Sequence, residues 1–213
     1  MPRKPAQKAE PPKDQKLAIV DAAMRLAAER PWQALSLAEI ADAAELGVVE
    51  LYRLLSSKAA ILREFSRRVD AAALAVATDP EERPRDRLFD ILMRRFDALA
   101  PYKPALRRMV ADTRRLRFDP IPMALCLPRS MGWMLEAAHI SSTGIAGAVR
   151  VKVLCLAYLS VLRTYLDDES PDLTRTMAAL DRALRRAEPF LRLDGGTQAK
   201  TQEAAWNSLT ILS

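Results

Sequence analysis

The sequence is poor in the residues that build metal sites, disulfide frameworks and phosphate loops. Among 213 residues it has one histidine, His139, together with two cysteines and six glycines. A single histidine excludes a metal site made of several histidines. Cys126 and Cys155 lie far apart in apolar stretches, which favours buried reduced thiols over a disulfide framework. With no glycine-rich phosphate loop, nucleophile elbow or HExxH motif, we predict no enzymatic activity and no cofactor.

Alternating runs of Val, Ile and Thr, which are typical of strands, are also missing. Apolar residues make up 50% of the chain and recur at helical spacing, so we predict an all-α fold with a sizeable core. The apolar stretch 151–166 is interrupted by Lys152 and Arg163 and is shorter than the roughly 20 residues that span a bilayer. The N-terminus also lacks an apolar signal segment. The predicted location is the cytoplasm.

The charge is concentrated at the N-terminus. The chain carries a net charge of +6, and residues 1–16 hold five basic and two acidic side chains, hence +3 of that total. Several prolines and few apolar residues in this segment predict a disordered basic tail. Two interpretations stay open: a solvated tail, or an arm that contacts phosphates or lipid headgroups.

The segment after the tail has the signals of a helix-turn-helix. A first helix is predicted from Leu17 to Arg30, and Ser36 with Glu39 forms a capping box at the start of the second. A turn at 45–47 separates this helix from a short third one, 48–54, and Ser57 is placed to cap a fourth. Two short helices joined by a tight turn can hold the second one in the DNA major groove.

The rest of the chain divides at a linker rich in proline and charge, 78–86. We therefore predict a DNA-binding domain over 17–77 and a larger helical domain over 84–194. A terminal segment, 197–213, follows Gly195-Gly196 and carries Ala205, Trp206, Leu209 and Leu212 near one helical face. This amphipathic helix either packs on its own domain or a partner, or lies on a membrane surface.

Residues 19–62, IVDAAMRLAAERPWQALSLAEIADAAELGVVELYRLLSSKAAIL, resemble the TetR family of bacterial transcriptional regulators. The matching motifs are A-A-x-x-L-x-A-E-R, I-A-x-x-A and L-Y-x-x-L-x-S-K. The resemblance implies a helix-turn-helix module followed by a helical domain for ligand binding and dimerisation. It also implies a ligand-responsive repressor that acts as a homodimer on a pseudo-palindromic operator in double-stranded DNA.

The resemblance also implies which residues meet DNA. The Ser36 position caps the second helix and touches a phosphate, Tyr52 and Lys58 match positions that contact the backbone, and Arg53 lies where a histidine is common. Hydroxyl and cationic side chains suit phosphate oxygens.

The start of the third helix departs from the family pattern. Glu45 stands where the family has glycine, at a position that prefers a positive φ. Val48, Val49 and Glu50 replace the usual polar mixture at the reading surface. Valine can contact a thymine methyl, whereas glutamate accepts a hydrogen bond from cytosine and is repelled by phosphates.

Two further sets are predicted in the larger domain. Methionine and aromatic side chains either line a pocket for an apolar or amphipathic ligand or form ordinary core: Met93, Phe96, Met109, Met131, Trp133, Met134 and Tyr158. The helix over 151–166 is apolar nearly all round, so both its own core and a partner subunit are expected to cover it. The predicted interface residues are Leu154, Tyr158, Val161, Leu162, Leu180 and Leu184.

Residues 129–188 carry a second, weaker resemblance. RSMGWMLEAAHI and LDDESPDLTRTMAALDRALRRAE resemble the C-terminal half of an accessory protein of ubiquinone biosynthesis with a TetR-like fold. This resemblance implies a lipid-binding, membrane-associated protein that does not bind DNA. It is the alternative to the regulator.

Overall fold

The fold is all-α, as predicted. A computed structural model of the chain describes residues 12–115 and 126–191. Residues 1–11 of the predicted tail (1–16) and the whole predicted terminal helix (197–213) lie outside these ranges. The helices are α1 (Pro12–Glu29), α2 (Leu37–Ala43), α3 (Val48–Leu54), α4 (Lys58–Ala73), α5 (Pro84–Leu99), α6 (Lys103–Arg115), α7 (Leu127–Ala137), α8 (Gly144–Asp167) and α9 (Thr174–Leu191). Short 3-10 turns occupy Trp32–Ala34 and Ala100–Tyr102.

Two helix starts differ from the prediction. Helix α1 begins at Pro12, so residues 12–16 are helical rather than part of the tail. Helix α8 begins at Gly144 and has 24 residues, with a mean hydropathy of 1.9 in its most apolar window. By length and composition it could cross a bilayer, so the judgement that this stretch is too short was wrong. The core helix of a soluble protein passes the same test. Only 33% of the window is buried, which leaves much apolar surface uncovered.

The described residues fall into two compact units, of which the first contains 12–72 and 97–115. Its core is the buried face of α1, including Ile19 and Met24, against α2 and α6. Tyr102 fastens this packing: its hydroxyl donates to Asp21 Oδ1 at 2.9 Å, and its ring meets the edge of Phe65 at 5.0 Å between centroids. Helix α6 therefore belongs to the first unit, although it follows the linker predicted at 78–86 in the sequence. The functional domains 17–77 and 84–194 stay a prediction.

The second unit contains 73–96 and 128–191, and α8 and α9 form its largest helix pair. An aromatic cluster lies at its centre. Phe96 stacks on Tyr158 at 5.0 Å and contacts Tyr165 at 4.8 Å between ring centroids. The Tyr165 hydroxyl donates to the carbonyl of Phe96 at 2.9 Å. At the start of α9, Asp168 accepts hydrogen bonds from Ser170 and Thr176.

Cys126 and Cys155 are reduced rather than joined in a disulfide, as predicted, although they are half-buried rather than fully buried. Burial raises the pKa of the Cys155 thiol to about 11. A thiol with this pKa is protonated at neutral pH and a poor nucleophile.

The turn between α2 and α3 contains a strained residue. Glu45 has φ 57, which confirms the expectation of a positive φ at a position where glycine is usual. The amide of Glu45 donates to the carbonyl of Asp42, and the amide of Leu46 to that of Ala41, at 3.0 Å each. These bonds fix the turn and hold Glu45 in the left-handed region.

We expect Glu45→Gly to raise the free energy of unfolding by about 1 kcal/mol, because glycine adopts this φ without the steric cost of a Cβ. Urea denaturation of the full chain measures the change. Glu45→Ala is the control, since it removes the charge but keeps the Cβ. Equal stabilisation by both variants would assign the effect to charge and contradict the strain.

Candidate nucleic-acid interface

The scaffold that presents α3 begins with a capping box at the start of α2. Ser36 Oγ accepts from the amide of Glu39 at 3.1 Å, and Glu39 Oε2 accepts from the amide of Ser36 at 2.8 Å, which confirms the predicted motif. The same oxygen accepts from the Ser36 hydroxyl, and Arg30 pairs with the other oxygen at 2.7 Å. The Ser36 amide and the Arg30 guanidinium hold the pKa of Glu39 at about 2. Ser36 is exposed, but an ionised carboxylate lies beside its hydroxyl.

Lys58 holds the loop that leads into α2. Its ammonium donates to the carbonyls of Trp32, Gln33 and Leu35 at 2.7, 3.1 and 2.9 Å. An ammonium has three N–H groups, so these bonds use all of them, and the pKa of Lys58 is lowered by burial. In this arrangement Lys58 is a structural cation of the loop, and its predicted contact with a phosphate stays a prediction.

The outer face of α3 is exposed and largely apolar. Val48, Val49 and Tyr52 are 49%, 65% and 66% exposed, and Arg53 is exposed beside them. The inner side of the helix is anchored by Leu51, which is fully buried. Exposed valines at the first turn suit the methyl groups of thymine, and the phenol and guanidinium suit phosphates.

Glu50 is the remaining predicted reader, and it differs from its neighbours. Its side chain is half-buried, and its Oε1 accepts from Gln15 Nε2 of α1 at 2.8 Å. Sequence reasoning missed Gln15, because it lies in the stretch assigned to the tail.

The predicted pocket residues do not form one group. Phe96, Met131, Met134 and Tyr158 are buried in the second unit, with Met93 half-buried beside them on α5. Met109 belongs to the first unit, and Trp133 is 55% exposed, so these two are removed from the set. Apolar character alone had selected them. Tyr165 and Arg95 also lie in this cluster but were not predicted. The Arg95 guanidinium lies 4.9 Å from the centre of the Tyr158 ring and donates a hydrogen bond to the Tyr158 hydroxyl.

The side chains predicted to form the dimer interface are buried inside their own chain. Leu154, Tyr158, Val161, Leu162, Leu180 and Leu184 are at most 6% exposed. They belong to the interior of the second unit, where Tyr158 stacks on Phe96 of α5, so the assignment to a subunit interface is corrected. The exposed apolar side chains of α8 and α9 lie on other faces: Ile145, Val149, Leu156, Leu159, Met177 and Phe190.

A groove of about 560 Å³ runs along this outer side of α8 and α9. Small residues line much of it, including Ala157, Ser160, Ala179 and Ala183, with Leu156 and Phe190 as the large apolar members. Arg182 and Arg186 also line it. Small side chains permit close approach of a further helix, which is the usual requirement for bundle packing.

The geometry of the first unit is that of a helix-turn-helix protein. Residues 19–65 match the family described as bacterial regulatory proteins, tetR family. A solved TetR transcriptional regulator from Nitrosomonas europaea is similar, with 26% identity, a TM-score of 0.63, and coverage of 84% of this chain and 99% of that one. The match over residues 19–65 and the similarity of the fold to this solved regulator relate the chain to TetR-type, DNA-binding transcriptional regulators.

Two more distant structures share the fold. A TetR transcriptional regulator from Rhodococcus sp. RHA1 has 19% identity and a TM-score of 0.58, with 82% of this chain and 96% of that chain covered. A tetR-family regulator from Streptomyces coelicolor has 14% identity and a TM-score of 0.52, with 93% and 98% covered. No curated protein sequence matches the chain significantly.

Proposed function

We propose that the protein is a cytoplasmic, ligand-responsive repressor that binds a pseudo-palindromic operator as a homodimer. The family and the fold support DNA-binding transcriptional regulation. The observation that carries the proposal is the outer face of α3, where Val49, Tyr52 and Arg53 are exposed on a helix anchored from behind by Leu51. This face supplies two chemistries that DNA needs, apolar contact for bases and donors for phosphates.

The dimer part of the proposal rests on the outer side of α8 and α9. Leu156 is 70% exposed and Phe190 is 50% exposed, on a helix pair whose interior is already filled. A contiguous apolar surface of this kind on a water-soluble chain marks an interaction site. A second copy fits, because the small residues of the groove admit a helix and a two-fold axis places identical faces together.

The effector is an apolar or amphipathic small molecule held in the second unit. Support comes from the side chains around Phe96: Met93 is half-buried, and Met131 and Met134 are fully buried. Methionines repack around irregular apolar ligands at low cost. The effector would act through its different affinities for the DNA-bound and free states of the protein.

Arg53→Ala tests the DNA interface. We expect affinity for duplex DNA from the protein's own promoter to fall about tenfold, with the slope of log affinity against log salt reduced by about one, because one phosphate contact is lost. Fluorescence anisotropy across a salt series measures both quantities.

Arg67→Ala is the matched control, since it removes one positive charge from the same unit at a side chain paired with Glu64 at 2.5 Å. Little change is expected for this variant. If Arg53→Ala behaves like Arg67→Ala, the assignment of α3 as the DNA-binding helix is wrong. If the unaltered protein binds no duplex DNA, the proposed function is wrong.

A further inference from the structure

The carboxylate on the reading helix is held in place by a second helix. Glu50 lies in the first turn of α3, and Gln15 reaches it from the first turns of α1, 35 residues earlier in the chain. The 2.8 Å bond from Gln15 Nε2 occupies Glu50 Oε1. This bond limits the directions in which the other oxygen, Oε2, can point.

A carboxylate on the DNA-facing surface of α3 affects both the affinity for DNA and the choice of base. It is repelled by every phosphate, so it weakens binding to all DNA sequences. In the major groove it accepts a hydrogen bond from an exocyclic amino group, and cytosine presents its N4 amino group as a donor. Guanine and thymine present acceptors at the corresponding groove edge, and adenine places the N7 acceptor beside its amino group. A held carboxylate therefore favours cytosine.

The position of Glu50 suits this role. It stands in the helical turn that enters a major groove first, and its neighbour Val49 is 65% exposed. The bond from Gln15 holds Glu50 in that turn and leaves its second carboxylate oxygen to accept a hydrogen bond from a base.

We propose that Glu50 selects a cytosine in each operator half-site through the N4 amino group, and that Gln15 is the positioning residue that aims the carboxylate. This inference rests on the proposed function, because it requires α3 to enter the major groove. It adds a base identity and assigns a role to a residue outside the helix-turn-helix.

Selection of the full-length protein on a random duplex library, followed by anisotropy on the selected site, tests the proposal. We expect a selected half-site with one fixed cytosine, whose replacement by thymine or guanine lowers affinity about 5- to 100-fold. Glu50→Gln should reduce this preference to within about twofold and strengthen binding to a scrambled duplex, because the repelling charge is gone.

Gln15→Ala separates positioning from charge. We expect it to lower discrimination at the cytosine about threefold or more while leaving affinity for the scrambled duplex unchanged, since the charge of Glu50 remains. Glu45→Gln is the matched control: it makes the same charge change at an exposed glutamate in the adjacent turn, and it should not alter base preference.

The possible results distinguish a failure of the role proposed for Glu50 from a failure of the proposed function. Sequence-selective binding with a cytosine preference that survives Glu50→Gln overturns the proposal for Glu50 and leaves the regulator intact. An unchanged preference in Gln15→Ala overturns the positioning role. No duplex binding by the unaltered protein overturns the proposed function and this inference together.

Discussion

Leu156→Glu should make the protein monomeric and lower its affinity for promoter DNA by about 100-fold or more. Leu156 is the most exposed of the large apolar side chains that line the groove along α8 and α9. A glutamate there would lose its hydration in the proposed dimer, which costs several kcal/mol and is repaid by Arg182 or Arg186 of the same groove only in an ideal pairing geometry. A monomer contacts one half-site instead of two, so it loses the increase in affinity that arises when two linked DNA-binding units bind together.

Analytical ultracentrifugation measures the oligomeric state, and anisotropy measures the affinity. Val76→Glu is the control, because Val76 is 60% exposed in the same unit and does not line the groove. A dimer that survives Leu156→Glu would contradict the proposed interface. A monomeric unaltered protein that binds liposomes through this face, and loses that binding in Leu156→Glu, would favour the lipid-binding alternative.

Gly147→Ala should destabilise the second unit by roughly 2–4 kcal/mol, an overpacking cost against backbone that cannot move aside. A Cβ on Gly147 would lie 2.1 Å from the carbonyl carbon of Ser142 and 2.3 Å from its oxygen. The amide of Gly147 also donates to the carbonyl of Thr143 at 3.1 Å. Any side chain at position 147 of α8 would therefore force the loop at Ser142 to shift.

Urea denaturation followed by near-UV circular dichroism measures this change. Gly132→Ala is the matched control, since it lies inside α7 and its added Cβ would meet Ser142 Oγ at an ordinary 3.8 Å. Alanine in a helix interior should be neutral or stabilising by up to about 1 kcal/mol. If Gly147→Ala is as stable as Gly132→Ala, the close approach of the loop and α8 does not constrain the fold.

The elements that local signals specify were predictable. The capping box of Ser36 and Glu39 and the cap at Ser57, whose Oγ accepts from the amide of Ala60 at 3.1 Å, both stand where the sequence placed them. These motifs involve residues three apart, so a single sequence carries the whole signal. The positive φ at Glu45 was expected for a different reason, because the family that residues 19–62 resemble has glycine at this position.

The orientation of helix faces was not predictable. Helix α8 is apolar nearly all round, so its hydrophobic pattern does not distinguish the side that packs on α9 from the side left exposed. Leu154 and Leu156 are chemically identical, yet one is fully buried and the other is 70% exposed. Pairings across long sequence separations, such as Gln15 with Glu50 and Tyr102 with Asp21, also leave no local signal.

The packing of α6 on α1 matters for anyone who wishes to build a chimeric regulator. A cut at the proline-rich stretch 78–86 looks natural on paper, but it would strip α1 of the helix that covers one side of it and of the Tyr102 hydroxyl bonded to Asp21. The DNA-binding unit that would be exchanged therefore consists of two separate stretches of the sequence. A donor fragment has to include residues 97–115 as well as 12–72. If only the N-terminal third is exchanged, the face of α1 that packs on α6 loses its native partner.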